Sequence, residues 1–116
     1  MTTIWHNPRC SKSRQTLALL RENGVEPEIR DYRSDAPTAA ELHSVLEMLG
    51  LNASGLLRKG EALAKDLGLS KASEDEVFAA LLAHPALIER PVVIHGTQAV
   101  LGRPPENVNS LFSSSN

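Results

Sequence analysis

The residues with the clearest capacity for chemistry lie close together near the N-terminus. Cys10, the only cysteine of the chain, sits within TIWHNPRCSKSR, residues 3–14. The β-forming pair Ile4 and Trp5 precedes a turn at Pro8, and helical periodicity follows the cysteine. This order predicts a strand, a loop and a thiol at the start of a helix. The unpaired N–H groups and the partial positive charge of a helix N-terminus stabilise a thiolate, the reactive form of cysteine.

Two interpretations of Cys10 remain open on spacing alone. A lone cysteine is often a buried, inert side chain. The neighbours Asn7, Pro8, Ser11 and the cations Arg9 and Lys12 are instead polar or turn-forming. A reactive thiol and an inert one are therefore both compatible with this stretch.

Composition limits the class of protein. The 116 residues predict a single domain, residues 1–116, and a hydrophobic content of 41% is enough for a core. A net charge of −2 argues against nucleic acid or an anionic membrane as a general partner. One cysteine cannot form an intramolecular disulfide, and no long apolar run or leader is visible. We expect a monomer in the cytoplasm.

Hydrophobic spacing predicts a βαβ unit at the start of the chain. Leu17 and Leu20 recur at helical spacing after Cys10, and Gly24 is placed to end that helix. A short strand is predicted at 28–32. Since crossover connections join parallel strands, the first two strands should be parallel, with Cys10 at the carboxyl end of the first.

The rest of the chain predicts helices and then a hairpin. Capping boxes are predicted at Thr38 with Glu41 and at Ser73 with Glu76. Ser54 is predicted to cap a short helix, and a further helical segment follows at 61–67. The helix that Ser73 opens is predicted to end at Pro85. Residues 91–94 and 98–101 flank a Gly-containing turn typical of a hairpin, and Pro104-Pro105 open a terminal helix. The predicted fold class is α/β, a four-stranded mixed sheet in the order βαβ, helices, ββα, flanked by helices, with a frayed tail at 113–116.

Four separated motifs resemble one protein family. They are HNPRCSKSR at 6–14, LLRK at 56–59, ERPVV at 89–93 and LGRPPE at 101–106. This set is similar to the glutaredoxin-coupled arsenate reductase family, whose members have a thioredoxin-like fold. The chain stops about a dozen residues after Arg103, which places it with the shorter relatives of that family.

The resemblance implies an oxyanion site around Cys10. Arg58, Arg90 and Arg103 match the family's three anion-binding arginines, and forked guanidinium donors suit tetrahedral oxyanions. Taken singly, each arginine has the ordinary alternative of a solvated surface charge. The resemblance also implies a cis bond before Pro91, because thioredoxin-like proteins keep such a proline opposite the cysteine.

Three further side chains belong to the predicted site. His6 matches a family histidine that lowers the pKa of the thiol, although a strand-end histidine bonded to backbone is an equal alternative. Ser11 and Ser13 could donate hydrogen bonds to the thiolate or the anion, or simply cap the helix. His43, His84 and His95 have no ligand-like neighbours in the sequence, so no metal and no bound cofactor are predicted.

The implied reaction is attack of Cys10 on arsenate, with glutathione and a glutaredoxin as electron donors. A chain with one cysteine needs an external thiol to resolve its intermediate whatever its family. Two alternatives stay open: a thiol-redox protein acting on another oxyanion or on glutathionylated thiols, and a non-enzymatic redox regulator. Ser13, which occupies the second cysteine position of a C-x-x-C pair, counts against a disulfide switch.

Overall fold

A computed structural model describes residues 1–112. The strands are β1 (Thr2–Trp5), β2 (Glu28–Arg30), β3 (Val92–His95) and β4 (Gln98–Leu101). The α-helices are α1 (Ser11–Glu22), α2 (Ala39–Leu49), α3 (Ala53–Leu56), α4 (Ala62–Asp66) and α5 (Glu74–Ala83), and 3₁₀ helices span Leu69–Lys71, Pro85–Leu87 and Pro105–Leu111. The tail at 113–116, predicted to fray, lies outside the described residues.

The four strands form one mixed sheet in the order β2-β1-β3-β4. β1 runs parallel to β2 and antiparallel to β3, and β3 pairs with β4 as an antiparallel hairpin. Gly96 in the hairpin turn has a φ of +61°, a conformation that glycine adopts without steric cost. The predicted parallel start and the predicted hairpin are both confirmed, and the carboxyl end of β1 leads directly to Cys10.

Contacts within the chain define two compact units, which we describe separately: Met1–Asp35 together with the segment from Arg90 onward, and Ala36–Glu89. In the first unit, α1 and the 3₁₀ helix Pro105–Leu111 pack together. Their apolar side chains meet the sheet in a core of Ile4, Leu20, Val93 and Val108. α1 is thereby packed against β1 and β3. The sequence prediction of a single domain remains a prediction.

The second unit is helical, and its helix starts are the ones that the sequence indicates. Thr38 and Ser73 each accept a hydrogen bond from the backbone N–H of the glutamate three residues on, and that glutamate bonds back to the cap. Leu42, Leu56 and Leu81 are fully buried within this part of the chain. Both predicted capping boxes are confirmed.

Two local predictions are wrong. The cap of α3 is Asn52, two residues before Ser54, and its side chain accepts from Gly55 N–H. Ser54 lies inside the helix, and its hydroxyl donates to the Asn52 side chain at 3.0 Å. β2 ends at Arg30 because residues 31–35 turn around the carbonyl of Asp31, which accepts from Ser34 and Asp35. The predicted terminal helix is confirmed and is a 3₁₀ helix over Pro105–Leu111.

Gly102 marks a close approach between the end of β4 and α1. A Cβ placed there would overlap the side chain of Thr16 and stand 2.8 Å from Cγ of Pro91. Thr16 is fully buried, donating to Lys12 O at 2.8 Å and to Gly102 O at 3.3 Å. Gly102 N–H donates to Pro91 O at 2.9 Å. A side chain at position 102 would therefore push apart three segments that carry the site.

Replacing Gly102 with alanine should destabilise the fold by about 1–3 kcal/mol, the usual cost of overfilling a packed interior. Urea unfolding followed by circular dichroism measures the change. Gly60→Ala is the matched control, since nothing lies within 4 Å of its added methyl, and its effect should stay below about 1 kcal/mol. Equal stability of the two variants would contradict the close approach.

Candidate active site

The loop between β1 and α1 is held by its own hydrogen bonds. The Asn7 side chain accepts from Arg9 N–H at 3.0 Å, and Asn7 O accepts from Cys10 N–H at 2.9 Å. From α1, Nη1 of Arg14 donates to Pro8 O at 2.9 Å. Asn-Pro often begins a turn because the asparagine side chain can accept a hydrogen bond from the backbone N–H two residues on. The loop therefore presents Cys10 in one defined position.

Cys10 precedes the first residue of α1 and is 8% exposed. Burial raises the pKa of its thiol, yet the pKa lies on balance below the ordinary cysteine value. Hydrogen bonding of the thiolate by the backbone N–H of Ser13, by Arg90 and by the backbone N–H of Lys12 lowers it, as does the charge of Arg90. Three donors and one cation outweigh desolvation, so the geometry favours a reactive thiolate.

Arg90 is a buried cation with spare donors. It is 7% exposed, and its Nε and Nη1 atoms have no hydrogen-bond partner in the part of the chain described here. Leaving buried donors unpaired is costly, and for a charged group the cost is larger still. An anion bound at Arg90 would satisfy these donors beside the thiolate that the same guanidinium stabilises. This is the strongest indication of a ligand site in the first unit.

The side chain of Arg103 is hydrogen-bonded to the backbone carbonyl of Arg90. Nη1 of Arg103 donates to Arg90 O at 3.2 Å. Both arginines precede cis prolines, Pro91 and Pro104. The cis bond before Pro91 confirms what the family resemblance implied, whereas the one before Pro104 has no counterpart among the sequence predictions.

Arg58 lies in the second unit, where a carboxylate holds its side chain. Its Nη1 is 2.7 Å from Oε2 of Glu61, and its backbone N–H donates to Leu87 O. This ion pair is a contact that the sequence analysis did not foresee. Arg58 and Glu61 lie in the turn between α3 and α4, where Glu61 N–H donates to Arg58 O at 3.1 Å. The convergence of all three arginines on Cys10 stays a prediction.

His6 and Ser13 form a buried pair between the end of β1 and the first turn of α1. Nδ1 of His6 lies 2.7 Å from Oγ of Ser13, which also accepts from Asn7 N–H at 3.0 Å. Burial lowers the pKa of His6 below its ordinary value, against the raising effect of Asp31. Burial therefore disfavours the protonated imidazole of His6. Ser13 uses its hydroxyl to fix the loop and its backbone N–H to favour the Cys10 thiolate, while Ser11 is exposed as the first residue of α1.

Sequence reasoning missed some supporting residues. For Arg14 and Thr16, the sequence shows that α1 carries polar side chains, but it does not show which backbone carbonyls they contact.

Within residues 1–112 no three His, Cys, Asp or Glu side chains gather as metal ligands would. No helix of that same range is long and apolar enough to cross a bilayer.

The fold and the site together define a class of protein. A β2-β1-β3-β4 mixed sheet, a cysteine at the start of the first helix and a cis proline before β3 describe a thioredoxin-like fold built around one thiol. Within that class the chain belongs to the ArsC family, whose profile matches residues 5–111.

Relatives and solved structures agree with this assignment. The chain is 50% identical to the uncharacterized protein YfgD of Escherichia coli K12, over 90% of this chain and 91% of that one. It is 45% identical to an arsenate reductase of Haemophilus influenzae, over 90% and 93% respectively. An arsenate reductase structure from Vibrio cholerae superposes with a TM-score of 0.89 at 46% identity, covering 94% of this chain and 95% of that one.

The lowered pKa of Cys10 predicts alkylation by iodoacetamide at pH values where an ordinary thiol, with a pKa of about 8.5, is mostly protonated. Arg90→Met should move the midpoint of the rate–pH curve upward, because it removes one hydrogen bond and one charge from the thiolate. Measurement of alkylation rate against pH, with mass spectrometry of the adduct, tests both statements.

Arg21→Met serves as the control for that titration. Arg21 also belongs to the first unit but is exposed and pairs with Glu26, so its removal should leave the midpoint in place. A common midpoint for wild type and Arg90→Met would show that Arg90 does not act on the thiolate.

Proposed function

We propose that this protein reduces arsenate to arsenite, with Cys10 as the nucleophile and with glutathione and a glutaredoxin as electron donors. The observation that carries the proposal is Arg90, a buried guanidinium with two unpaired donors that also stabilises the thiolate. A tetrahedral oxyanion with several acceptor oxygens is the ligand that suits such a group. Relatives named arsenate reductase point to arsenate among such anions.

The first step forms a sulfur–arsenic bond. The Cys10 thiolate attacks arsenic of HAsO₄²⁻, and one oxygen leaves as water after taking up two protons. The product is a Cys10–S–AsO₃H⁻ adduct in which arsenic is still As(V). Arg90 would neutralise the charge that gathers on the arsenate oxygens during attack, which is where fixed donors lower a barrier most.

The second step transfers two electrons to arsenic. Glutathione attacks the sulfur of Cys10, the S–As bond breaks with its electron pair going to arsenic, and H₂AsO₃⁻ leaves. The thiols are oxidised to a mixed disulfide between Cys10 and glutathione. A glutaredoxin thiol then attacks the glutathione sulfur, takes up the glutathionyl group and releases Cys10 as a thiol.

The remaining site residues take supporting roles in this proposal. Arg103 would add donors for the anion from a position fixed by its bond to Arg90 O. Ser11, exposed at the first turn of α1, would offer its hydroxyl to the anion. His6 would act as a neutral partner of Ser13 that orients the loop. Arg58 enters through the family resemblance and would have to share its guanidinium with Glu61.

The setting of the reaction follows from the single thiol. No bound cofactor is needed, because the electrons come from soluble thiols. Free cysteine with a lowered pKa survives best where glutathione keeps thiols reduced. We place the protein in the cytoplasm for that reason.

Cys10→Ser should reduce arsenate-dependent NADPH oxidation to the rate without enzyme, in an assay that supplies glutathione, glutathione reductase and glutaredoxin. A serine hydroxyl stays protonated near neutral pH and is a poor nucleophile without a base. Circular dichroism and unfolding of the variant check that its fold is intact. Turnover by a folded Cys10→Ser variant, or none by wild type with every coupling component verified, would contradict the proposal.

Arg90→Lys should lower kcat/KM for arsenate at least ~10-fold, about 1.4 kcal/mol of transition-state stabilisation, because an ammonium keeps the charge but loses the fork. KM for glutathione should change much less, since the thiol arrives after the anion is bound. Lys12→Arg, an exposed change at the helix start, is the comparison. Unchanged kinetics in folded Arg90→Lys would return Arg90 to a structural role.

A further inference from the structure

A second binding feature lies beside the catalytic loop. A cleft of about 390 Å³ is lined by Asn7, Pro8, Arg9, Asp31, Arg33 and Ser34. Small-molecule sites usually begin at about 300 Å³. Arg9 immediately precedes Cys10 in the chain, so the cleft borders the loop that carries the thiol. The arsenate chemistry described above uses none of the six lining residues.

The topology explains why a cleft forms at this place. β1 and β2 are adjacent parallel strands, and His6 N–H donates to Arg30 O at 2.8 Å where both strands end. The chain then diverges into two loops, residues 6–10 and 31–35. The crevice outside the carboxyl ends of parallel strands is the usual ligand position in open α/β sheets.

Both walls of the cleft are pre-formed. Asn7 braces the first wall by accepting from Arg9 N–H. Asp31 braces the second wall: its side chain accepts from Arg33 N–H at 3.1 Å, and its carbonyl accepts from Ser34 and Asp35 N–H. These contacts fix the backbone and leave the guanidinium groups of Arg9 and Arg33 exposed at the cleft. A ligand would therefore meet rigid walls that carry charged side chains.

The charges of the lining define the ligand. Arg9 and Arg33 offer two sites for carboxylates, and Asp31 offers one for an ammonium group. Glutathione has two carboxylates and one ammonium group, spaced along a short peptide with the thiol between them. Its single net negative charge also complements the single excess positive charge of the lining.

We propose that this cleft is the binding site of the external thiol, and that Arg9, Arg33 and Asp31 hold glutathione there so that its sulfur reaches Cys10. The inference rests on the proposed function only in taking glutathione as that thiol. The step it serves is the attack of the glutathione thiolate on a sulfur of a Cys10 disulfide or adduct: one sulfur–sulfur bond forms, and the leaving group takes the electron pair of the bond that breaks.

The test uses a Cys10 disulfide that contains no arsenic. Cys10 is converted to its mixed disulfide with 2-thiopyridine, an uncharged leaving group, and release of pyridine-2-thione is followed by stopped-flow absorbance. The attacking thiols are glutathione and 3-mercaptopropionate. Both carry one net negative charge before ionisation of the thiol, so long-range attraction acts on them alike and their rate ratio isolates specific contacts.

Arg33→Ala should lower the ratio of the glutathione rate to the mercaptopropionate rate about fivefold, since one charge-assisted contact at an exposed site is lost. Asp31→Asn should change the two rates in opposite directions. The reaction with glutathione should be slower because its ammonium group loses a partner, whereas the reaction with mercaptopropionate should be faster because a repelling carboxylate is gone. Asparagine can still accept from Arg33 N–H, which preserves the turn. Arg21→Ala, an exposed change elsewhere in the first unit, should leave the ratio unchanged.

Binding without reaction provides a second measurement. Titration of wild type with S-methylglutathione should shift the backbone NMR signals of residues 7–9 and 31–34, and Arg33→Ala should weaken the affinity by a similar factor. A rate ratio unaffected by Arg33→Ala and Asp31→Asn would overturn the inference. Neither measurement involves arsenate. The rate ratio and the titration therefore test glutathione binding in the cleft, whereas arsenate turnover tests the proposed function separately.

Discussion

The site depends on one electrostatic balance, in which a thiolate and a guanidinium are taken out of water together. Burial alone raises the pKa of Cys10, and burial alone makes the charge of Arg90 costly. Each charge offsets the cost of the other, and the N–H groups at the start of α1 add to the thiolate side. The lowered pKa of His6 fits this balance, because a second buried cation would need a further anion. These two charged groups are held in position by the loop before α1, by the hydrogen bond from Arg103 to Arg90 O and by the close packing at Gly102.

The sequence predicted most of the framework that creates this balance. Alternation and helical spacing are local signals, and they located β1, α1, both capping boxes and the β3–β4 hairpin. The errors are local as well. Ser54 and Asn52 are both good caps, and only the backbone geometry decides between them. Residues 31 and 32 look like strand, but the turn around the Asp31 carbonyl removes them from the ladder.

Site residues were harder to predict because their roles depend on partners distant in the sequence. The spacing around Cys10 indicated a helix start, yet it could not show that Arg90, eighty residues later, would join the backbone N–H of Ser13 in lowering the pKa of the thiol. Ser13 illustrates the same difficulty. Its position suggested a hydroxyl donor to the thiolate, while the structure engages that hydroxyl with His6 and leaves the backbone N–H to act on Cys10. For Arg58, the family resemblance could not anticipate the ion pair with Glu61.

The same balance constrains the order of events at Cys10. A dianion that binds Arg90 competes with the thiolate for one guanidinium, so each must weaken the other's hold on it, and by linkage the effect is equal in both directions. In the proposed reaction, bond formation between sulfur and arsenic would remove the competition, because the thiolate charge is consumed in the adduct. Ground-state repulsion is thus relieved along the reaction coordinate, which favours the transition state over the bound reactants. If the cleft binds the second thiol as proposed, its separate arginines, Arg9 and Arg33, would keep that later step from adding a third anion to Arg90.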